Sequence, residues 1–280
     1  MAVFPPKENA LKQIFGAGHK IIIGVVHSKP LPGSPHYQGS QGELVEETYR
    51  FAVEEALRYA EGGVHGLIVE NHWDIPFSKP EDIGLETAAA MAVMASRVKR
   101  EVGLPIGINV LANGVKCALA VAKASEAAFV RSNQWVNAYI ANEGVIEGAA
   151  PKATRYRAQL RAEEVRFFTD VHVKHGSHAI VADRSLEEQV LDAEFFDSDV
   201  LIATGQRTGG ETDLTELEAI KDAATLPVVV GSGVTRENAK RILSIADGAI
   251  VASSLKEDGS WWNPVSTKRV KRLMEMVECL

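Results

Sequence analysis

The stretch that decides the fold reads Val228-Val229-Val230-Gly231-Ser232-Gly233-Val234-Thr235 and joins a run of valines to a glycine turn. A short, continuous apolar run of this kind is typical of a strand that is buried on both faces. Glycines let backbone N–H groups approach an anion closely, and a helix beginning near Arg236–Glu237 would add further donors. The stretch therefore predicts a strand, a tight turn and a helix, with an anion-binding site at the turn.

Similar apolar runs recur along the chain, and segments with helical spacing separate most of them. Strands that alternate with helices pair in parallel, and eight such units indicate an α/β fold of the closed (β/α)8 TIM barrel type, because an open doubly wound sheet usually has fewer strands. We expect a single barrel domain over residues 1–280, with an extension or helix in residues 1–20 and a helix in residues 260–280. The predicted strands are Ile21–His27, Gly66–Glu70, Pro105–Val110, Ala128–Asn133, Phe168–Lys174, Val200–Thr204, Pro227–Val230 and Ala249–Ala252, and the predicted helices include Glu43–Glu61, Glu86–Val102, Leu186–Phe195, Leu214–Ala223 and Arg236–Ile245.

The composition fits a globular protein of this fold. The chain has 280 residues, of which 46% are hydrophobic, and a single barrel commonly has about 250 residues. Its net charge of −7 argues against nucleic acid as a partner, because that partner requires a basic surface. Two isolated cysteines, Cys117 and Cys279, fit reduced thiols better than a metal site. We see no signal peptide or long apolar span, and we expect a cytoplasmic protein without an integral membrane segment.

A second loop resembles the glycine turn and follows the last predicted strand, in Ile250-Val251-Ala252-Ser253-Ser254-Leu255-Lys256. It supplies two hydroxyls and further backbone N–H groups. Barrels frequently build phosphate sites from the loops after their seventh and eighth strands. The alternative is that Gly-Ser-Gly forms only a tight turn, but that alternative does not explain the paired loop. We predict that a small phosphorylated ligand binds Gly231, Ser232, Gly233, Ser253 and Ser254.

Polar side chains close most of the predicted strands, although a packed barrel has no structural need for so many. Active sites of this fold lie at the carboxyl ends of the strands, so the excess is the main sequence evidence for an enzyme. An arginine there suits a carboxylate or phosphate because its fork binds two oxygens, although an ion pair of Arg131 with Glu70 or Asp170 is an open alternative. We predict substrate-binding roles for His27, Asn109, Arg131, Asn133 and Thr204.

The fifth predicted strand alternates strictly between apolar and polar residues, in Thr169-Asp170-Val171-His172-Val173-Lys174-His175. Successive side chains of a strand point to opposite faces, so the valines would pack on helices and the polar residues would line the lumen or its mouth. A desolvated lysine near other cations can act as a base or as a Schiff-base nucleophile. A purely structural Asp–His–Lys network is the alternative. We predict catalytic roles for Lys174, His172, Glu70 and Asp170, with Asp170 orienting His172.

A metal site is a minor hypothesis. Glu70, Asp170 and His172 together would offer ligands for a divalent ion, but no close-spaced ligand motif supports the set. The main hypothesis requires neither metal nor cofactor. Site loops are expected at His27–Pro35, Asn142–Lys152 and Thr204–Asp213, and Trp261 and Trp262 are expected to pack or to join a homo-oligomer contact.

An ordered set of motifs runs through the chain: Gly24–His27, Pro30–Pro35, Glu70-Asn71 with Asp74, Pro76 and Phe77, Asn109–Leu111, Phe129–Arg131, Gly144–Gly148, Asp170–His175, Thr204-Gly205 with Thr208-Gly209, Gly231–Thr235, Asp247–Val251, Ser254–Lys256 and Asn263-Pro264. With these motifs the chain resembles the BtpA family, also called SgcQ-like proteins. The resemblance implies a fold like that of the ribulose-phosphate-binding barrels. The family is named for a cyanobacterial member linked to photosystem I biogenesis, and other members resemble parts of sugar-catabolic operons. The chain departs from the usual family pattern at His72-Trp73, Asn113-Gly114, Ser132 and Gln134.

Three hypotheses for function follow. The first is an enzyme that acts on a sugar phosphate by proton transfer beside a carbonyl, as isomerases, epimerases and aldolases do. The second is a non-catalytic assembly or stability factor for a membrane complex. The third, a nucleotide phosphohydrolase, has less support because no Walker-type lysine follows a glycine loop.

Overall fold

Eight parallel strands close into a barrel, which confirms the predicted fold class. The computed structural model describes residues 7–16, 18–39, 45–205 and 213–280. The strands are β1 (Ile21–His27), β2 (Gly66–Glu70), β3 (Ile106–Asn109), β4 (Phe129–Ser132), β5 (Ala138–Ala141), β6 (Gly144–Glu147), β7 (Arg166–Asp170), β8 (Val200–Ala203), β9 (Val228–Val230) and β10 (Gly248–Val251). Hydrogen-bonded neighbours follow the order β1-β10-β9-β8-β7-β4-β3-β2 around the barrel, while β5 and β6 form a separate antiparallel hairpin.

Helices cover the outside of the barrel and follow the predicted pattern. Predicted and observed bounds agree for two of them, and the first of these begins at a capping box made by Ser185 and Glu188. No helix among the described residues is long and apolar enough to cross a membrane. The helices are α1 (Ala10–Phe15), α2 (Val45–Gly62), α3 (Leu85–Val102), α4 (Val115–Ser125), α5 (Ala150–Gln159), α6 (Leu186–Phe195), α7 (Leu214–Ala223), α8 (Ala239–Ile245) and α9 (Thr267–Val277).

The lumen of the barrel is filled with apolar side chains in its lower part. Phe129 and Phe168 stack there with their ring centroids 4.2 Å apart, among buried isoleucines and valines from other strands. Helix α1 closes the amino-terminal end, because Leu11 belongs to the same cluster and Phe15 packs edge-on against Phe129. Polar side chains are thereby left to the carboxyl ends of the strands, which is where this fold places active sites.

The chain between β4 and β7 differs from the prediction. Within the expected loop Asn142–Lys152, residues Gly144–Glu147 form strand β6 and pair with β5 in a hairpin, and α5 begins at Ala150. Strand β7 ends at Asp170, so the expected strand Phe168–Lys174 is wrong beyond that residue. The following segment leaves the barrel and pairs with the hairpin, since the N–H groups of Ile140 and Ser177 each donate to the other's carbonyl, at 3.0 and 2.8 Å. This pairing replaces the strand ladder that the alternation predicts.

Helix α8 begins at Ala239 rather than at Arg236, because Asn238 holds the preceding residues in a turn: it accepts from the Thr235 N–H and donates to the Gly233 carbonyl. Most of the predicted loop Thr204–Asp213 lies outside the described residues.

Candidate active site

A cavity of 560 Å³ opens at the carboxyl end of the barrel. It brings together many of the residues predicted from the strand ends. The predicted catalytic residues Asp170 and His172 do not line it, nor do three of the predicted substrate-binding residues, Asn109, Asn133 and Thr204. The predicted site residues that do line it are His27, Glu70, Arg131, Lys174, Gly231, Ser232, Gly233, Ser253 and Ser254.

One end of the cavity is formed by the glycine turn after β9. A Cβ atom on Gly231 would lie 2.6 Å from Cγ2 of Ile202 and 2.8 Å from Cγ2 of Thr204, so only glycine fits this strand end. Gly233 has φ +70°, in the left-handed region that favours glycine. Among the described residues, the N–H groups of Gly233 and Val234 have no protein acceptor. The turn therefore presents backbone donors of the kind that bind anions.

The loop after β10 lies against this turn. The Ser254 hydroxyl donates to the carbonyl of Val234 at 2.7 Å, which ties the two loops together. Lys256, by contrast, points away and forms a buried ion pair with Glu55 at 2.6 Å. The positive charge at this end comes instead from Arg269 and the other arginines on the cavity wall, Arg236 and Arg272, none of which was predicted from the sequence. The spacing of Arg269 and Arg272 on one face of α9 was the available signal.

Arg131 links the cavity to a buried polar network. Its Nη2 atom donates to both carboxylate oxygens of Asp170 at 3.1 Å, and Asn133 donates to the same carboxylate at 3.1 Å. The ion pair considered as an alternative therefore exists. Burial raises the pKa of Asp170, although Arg131 and Asn133 oppose that effect. The buried Nε of Arg131 and Oδ1 of Asn133 have no partner among the described residues.

His172 lies away from this network. Its Nδ1 atom is 3.1 Å from Oε1 of Glu216, and its ring lies 3.9 Å from that of His178. Thr204 donates its hydroxyl to the His172 carbonyl at 2.9 Å and so serves the backbone. The prediction that Asp170 orients His172 is wrong, and the predicted metal set of these two residues with Glu70 is not assembled. The reason is that the strand ends at Asp170.

Lys174 is half-buried on the cavity wall. Burial and the neighbouring Arg131 guanidinium lower the pKa of its amine to about 8, although Glu70 and Asp170 oppose that effect. A lysine of this kind is partly neutral near physiological pH and is therefore suited to act as a base or a nucleophile.

Glu70 occupies the floor of the cavity between two histidines. Strand register places it between His27 of β1 and Asn109 of β3. Its Oε1 atom lies 2.9 Å from Nδ1 of His72 and 3.8 Å from Nε2 of His27, and Asn109 donates to Oε2 at 2.6 Å. Burial opposes ionisation, but the hydrogen bond and charge of His72, together with the charges of His27 and Arg131, hold the pKa of Glu70 well below its usual range. Burial and His72 lower the pKa of His27.

His72 was not among the predicted site residues, although it stands two positions after Glu70, where an extended chain places side chains on one face. Its ring stacks on that of His27 at 4.3 Å and meets the edge of Trp261 at 4.7 Å. Trp261 also contacts Trp73, so it packs over the rim of the cavity as expected. The loop after β1 is held there by a hydrogen bond from the Leu31 N–H to Asp74 at 2.8 Å.

The fold and the cavity define a (β/α)8 barrel protein with a polar cavity at the carboxyl ends of its strands. Within that class the chain belongs to the BtpA family, whose model matches residues 18–279, and the predicted resemblance is confirmed. An uncharacterized protein of Archaeoglobus fulgidus is 43% identical over 91% of this chain and 97% of its own length. The photosystem I biogenesis protein BtpA of Synechocystis is 37% identical over 92% of this chain and 88% of its own length.

Solved structures show the same fold at low sequence identity. The (S)-3-O-geranylgeranylglyceryl phosphate synthase of Thermoplasma acidophilum superposes with a TM-score of 0.57 and 14% identity, covering 94% of this chain and 95% of the other. The N-(5′-phosphoribosyl)anthranilate isomerase of Pyrococcus furiosus superposes with a TM-score of 0.56 and 12% identity, covering 94% and 100%. These likenesses support the barrel architecture.

Proposed function

We propose that this protein is an enzyme that binds a sugar phosphate and moves protons beside the carbonyl group of that ligand, as isomerases, epimerases and aldolases do. The observation that carries the proposal is the cavity itself. Residues of the glycine turn Gly231–Gly233 and of the loop at Ser253–Ser254 line one space with Lys174 and Glu70, and this shared lining supports the proposal. A phosphate held at one end positions the rest of a small ligand against these groups, which is how binding energy contributes to reaction rate.

Each group in the cavity has a role in this chemistry. The amine of Lys174, with its pKa of about 8, removes a proton from the carbon next to the carbonyl or attacks the carbonyl itself. Arg131 stabilises the negative charge that develops on the oxygen. Glu70 is ionised and orients ligand hydroxyls, and the Lys174 ammonium formed by the proton transfer returns the proton. Asn109 donates to Glu70 and Asn133 donates to Asp170, so these two amides hold carboxylates rather than the ligand.

Solvent deuterium exchange tests the proposal and does not require the product to be identified. The protein is incubated in D2O with a panel of phosphorylated aldoses and ketoses, and loss of the proton next to the carbonyl is followed by NMR. We expect exchange with at least one sugar phosphate, and loss of exchange in Lys174→Met and Glu70→Gln. Lys240→Met, which removes an exposed lysine of α8, is the matched control. Exchange that is unchanged in Lys174→Met contradicts the proposal.

One relative favours a second candidate. The Synechocystis homologue is named a photosystem I biogenesis protein, and its similarity extends over most of this chain. An assembly role without chemistry predicts that Lys174→Met and Glu70→Gln restore the phenotype of a deletion strain as fully as the wild-type gene. An enzyme predicts that neither variant restores it.

A further inference from the structure

We infer that His27, Glu70 and His72 form a binding site for one divalent transition-metal ion, of the Zn²⁺, Co²⁺, Mn²⁺ or Fe²⁺ class, on the floor of the cavity. This inference goes beyond the proposed phosphate site. It shares Glu70 with the proposed function but is measured on the protein without a substrate, so that metal binding can fail while proton exchange stands, and the reverse.

The donor atoms converge on one point. Oε1 of Glu70 lies 2.9 Å from Nδ1 of His72 and 3.8 Å from Nε2 of His27, and one donor atom from each residue lies within 4.8 Å of the others. Ligand atoms that share a metal at about 2.1 Å are roughly 3.0–3.4 Å apart, so small side-chain adjustments bring all three into range. No other group of three or more such side chains occurs in the described part of the chain.

The surroundings match those of metal ligands. The ring nitrogen Nδ1 of His27 lies 3.4 Å from the carbonyl of Trp261, and a carbonyl only accepts, so the proton belongs on Nδ1 and the lone pair of Nε2 faces Glu70. A lone pair directed at a carboxylate is repelled unless a cation lies between them. Asn109 donates to the second oxygen of Glu70 at 2.6 Å, which fixes the carboxylate. Ligating histidines and carboxylates are held by such outer hydrogen bonds.

Two histidines and one carboxylate leave further coordination positions for solvent or ligand. In this chain those positions face the cavity, because all three residues line it together with Lys174 and Arg131. The combination of two imidazoles with one carboxylate suits zinc and non-haem iron or manganese better than Mg²⁺ or Ca²⁺, which prefer oxygen ligands. A metal in this position would polarise an oxygen of the bound ligand.

Calorimetric titration of the EDTA-treated, dialysed protein with Zn²⁺ and with Co²⁺ tests the inference, and visible absorption of the Co²⁺ form reports nitrogen ligation. We expect one ion per chain, and an affinity at least tenfold weaker in His27→Asn, Glu70→Gln and His72→Asn. His72 is partly exposed, so its variant is expected to fold even if a substitution at the buried Glu70 does not, and circular dichroism checks both.

The matched control is His19→Asn. His19 and His65 form another stacked pair, at 4.5 Å, but neither belongs to a three-ligand cluster. The control is expected to bind the ion as the wild type does. If the cluster is only an ion pair of Glu70 with its histidines, the wild type binds neither ion. That result overturns the inference, and so does binding of equal strength in folded His72→Asn.

Discussion

At the scale of single residues, the chemistry depends on the charge state of Lys174. Its amine is desolvated and faces Arg131, and these two effects lower its pKa to about 8 from the ordinary value of a lysine. Its neutral fraction therefore rises steeply across the pH range just above neutrality. An amine with this pKa is partly neutral near physiological pH and is still basic enough to accept a proton. General-base and Schiff-base chemistry require both properties.

The rate of deuterium exchange should follow this titration. If the neutral amine is the base, kcat/KM is low below pH 7, rises as pH is raised through about 8, and reaches a plateau above it. Lys174→Arg keeps the positive charge but places the pKa above about 12, so exchange should be lost throughout this range. A pH profile that falls between pH 7 and 9 would exclude Lys174 as the base.

Substitution of the single residue Gly233 tests the proposed role of the turn after β9 in anion binding. Gly233 has φ +70°, so Gly233→Ala should destabilise the fold by about 1 kcal/mol. The added Cβ would force the backbone of the turn to move, and we expect binding of sugar phosphates to be lost with that movement. Gly103→Ala is the control: it has φ +66°, no atom within 4 Å of the added Cβ, and a position at the end of α3 away from the cavity. Both variants should lose similar stability in urea. Equal phosphate binding by both would contradict the proposed role of the turn.

At the scale of elements, a buried ion pair ties α2 to the loop after β10. Lys256 and Glu55 meet at 2.6 Å with almost no exposure, and the same carboxylate also accepts from the Val265 N–H and from Arg58. Glu55 therefore anchors the backbone that follows β10. Lys256 is in this way structural, and Arg236, Arg269 and Arg272 supply the positive charge on the cavity wall.

Breaking this pair should be costly. Lys256→Met leaves the buried carboxylate with Arg58 as its one cationic partner among the described residues, and we expect a loss of roughly 3 kcal/mol in the free energy of unfolding. Lys271→Met is the control, since Lys271 and Glu61 form an exposed pair at 2.8 Å between α9 and α2, and should lose less than about 1 kcal/mol. Urea unfolding measures both, and a Lys256→Met loss no larger than that of the control would contradict the structural role.

Sequence patterns are sufficient to predict some of the helices and strands but not all of them. The valines of β9 and the spacing of α6 and α7 predict these elements correctly because burial and local capping decide them. The alternation after Asp170 fails because a long-range pairing, between Ile140 and Ser177, takes the chain out of the barrel. The local periodicity of the sequence carries no information about pairing with a segment that is distant in the chain. His172 was therefore predicted to face the cavity, and it contacts Glu216 instead.

At the scale of the whole molecule, the barrel explains why residues distant in sequence share one cavity. Strand ends were sufficient to predict that His27, Glu70 and Arg131 line the cavity, because parallel strands bring their carboxyl ends together. Lys174 also lines the cavity, but from the segment after β7 and not from the predicted strand. His72 and the arginines lie on loops and on α9, and their positions depend on packing that no local pattern encodes. Family membership fixes the fold of the chain, and the chemistry has to be inferred from the cavity.

Calorimetric titration with a panel of sugar phosphates, each paired with the same sugar lacking phosphate, tests the central claim most directly. The claim is that the loops after β9 and β10 bind the phosphate of a small ligand. We expect at least one sugar phosphate to bind with a stoichiometry of one per chain, its unphosphorylated partner to bind far more weakly, and Gly233→Ala to abolish the difference. Binding of the sugars irrespective of phosphate, or no binding by any member of the panel, would contradict it.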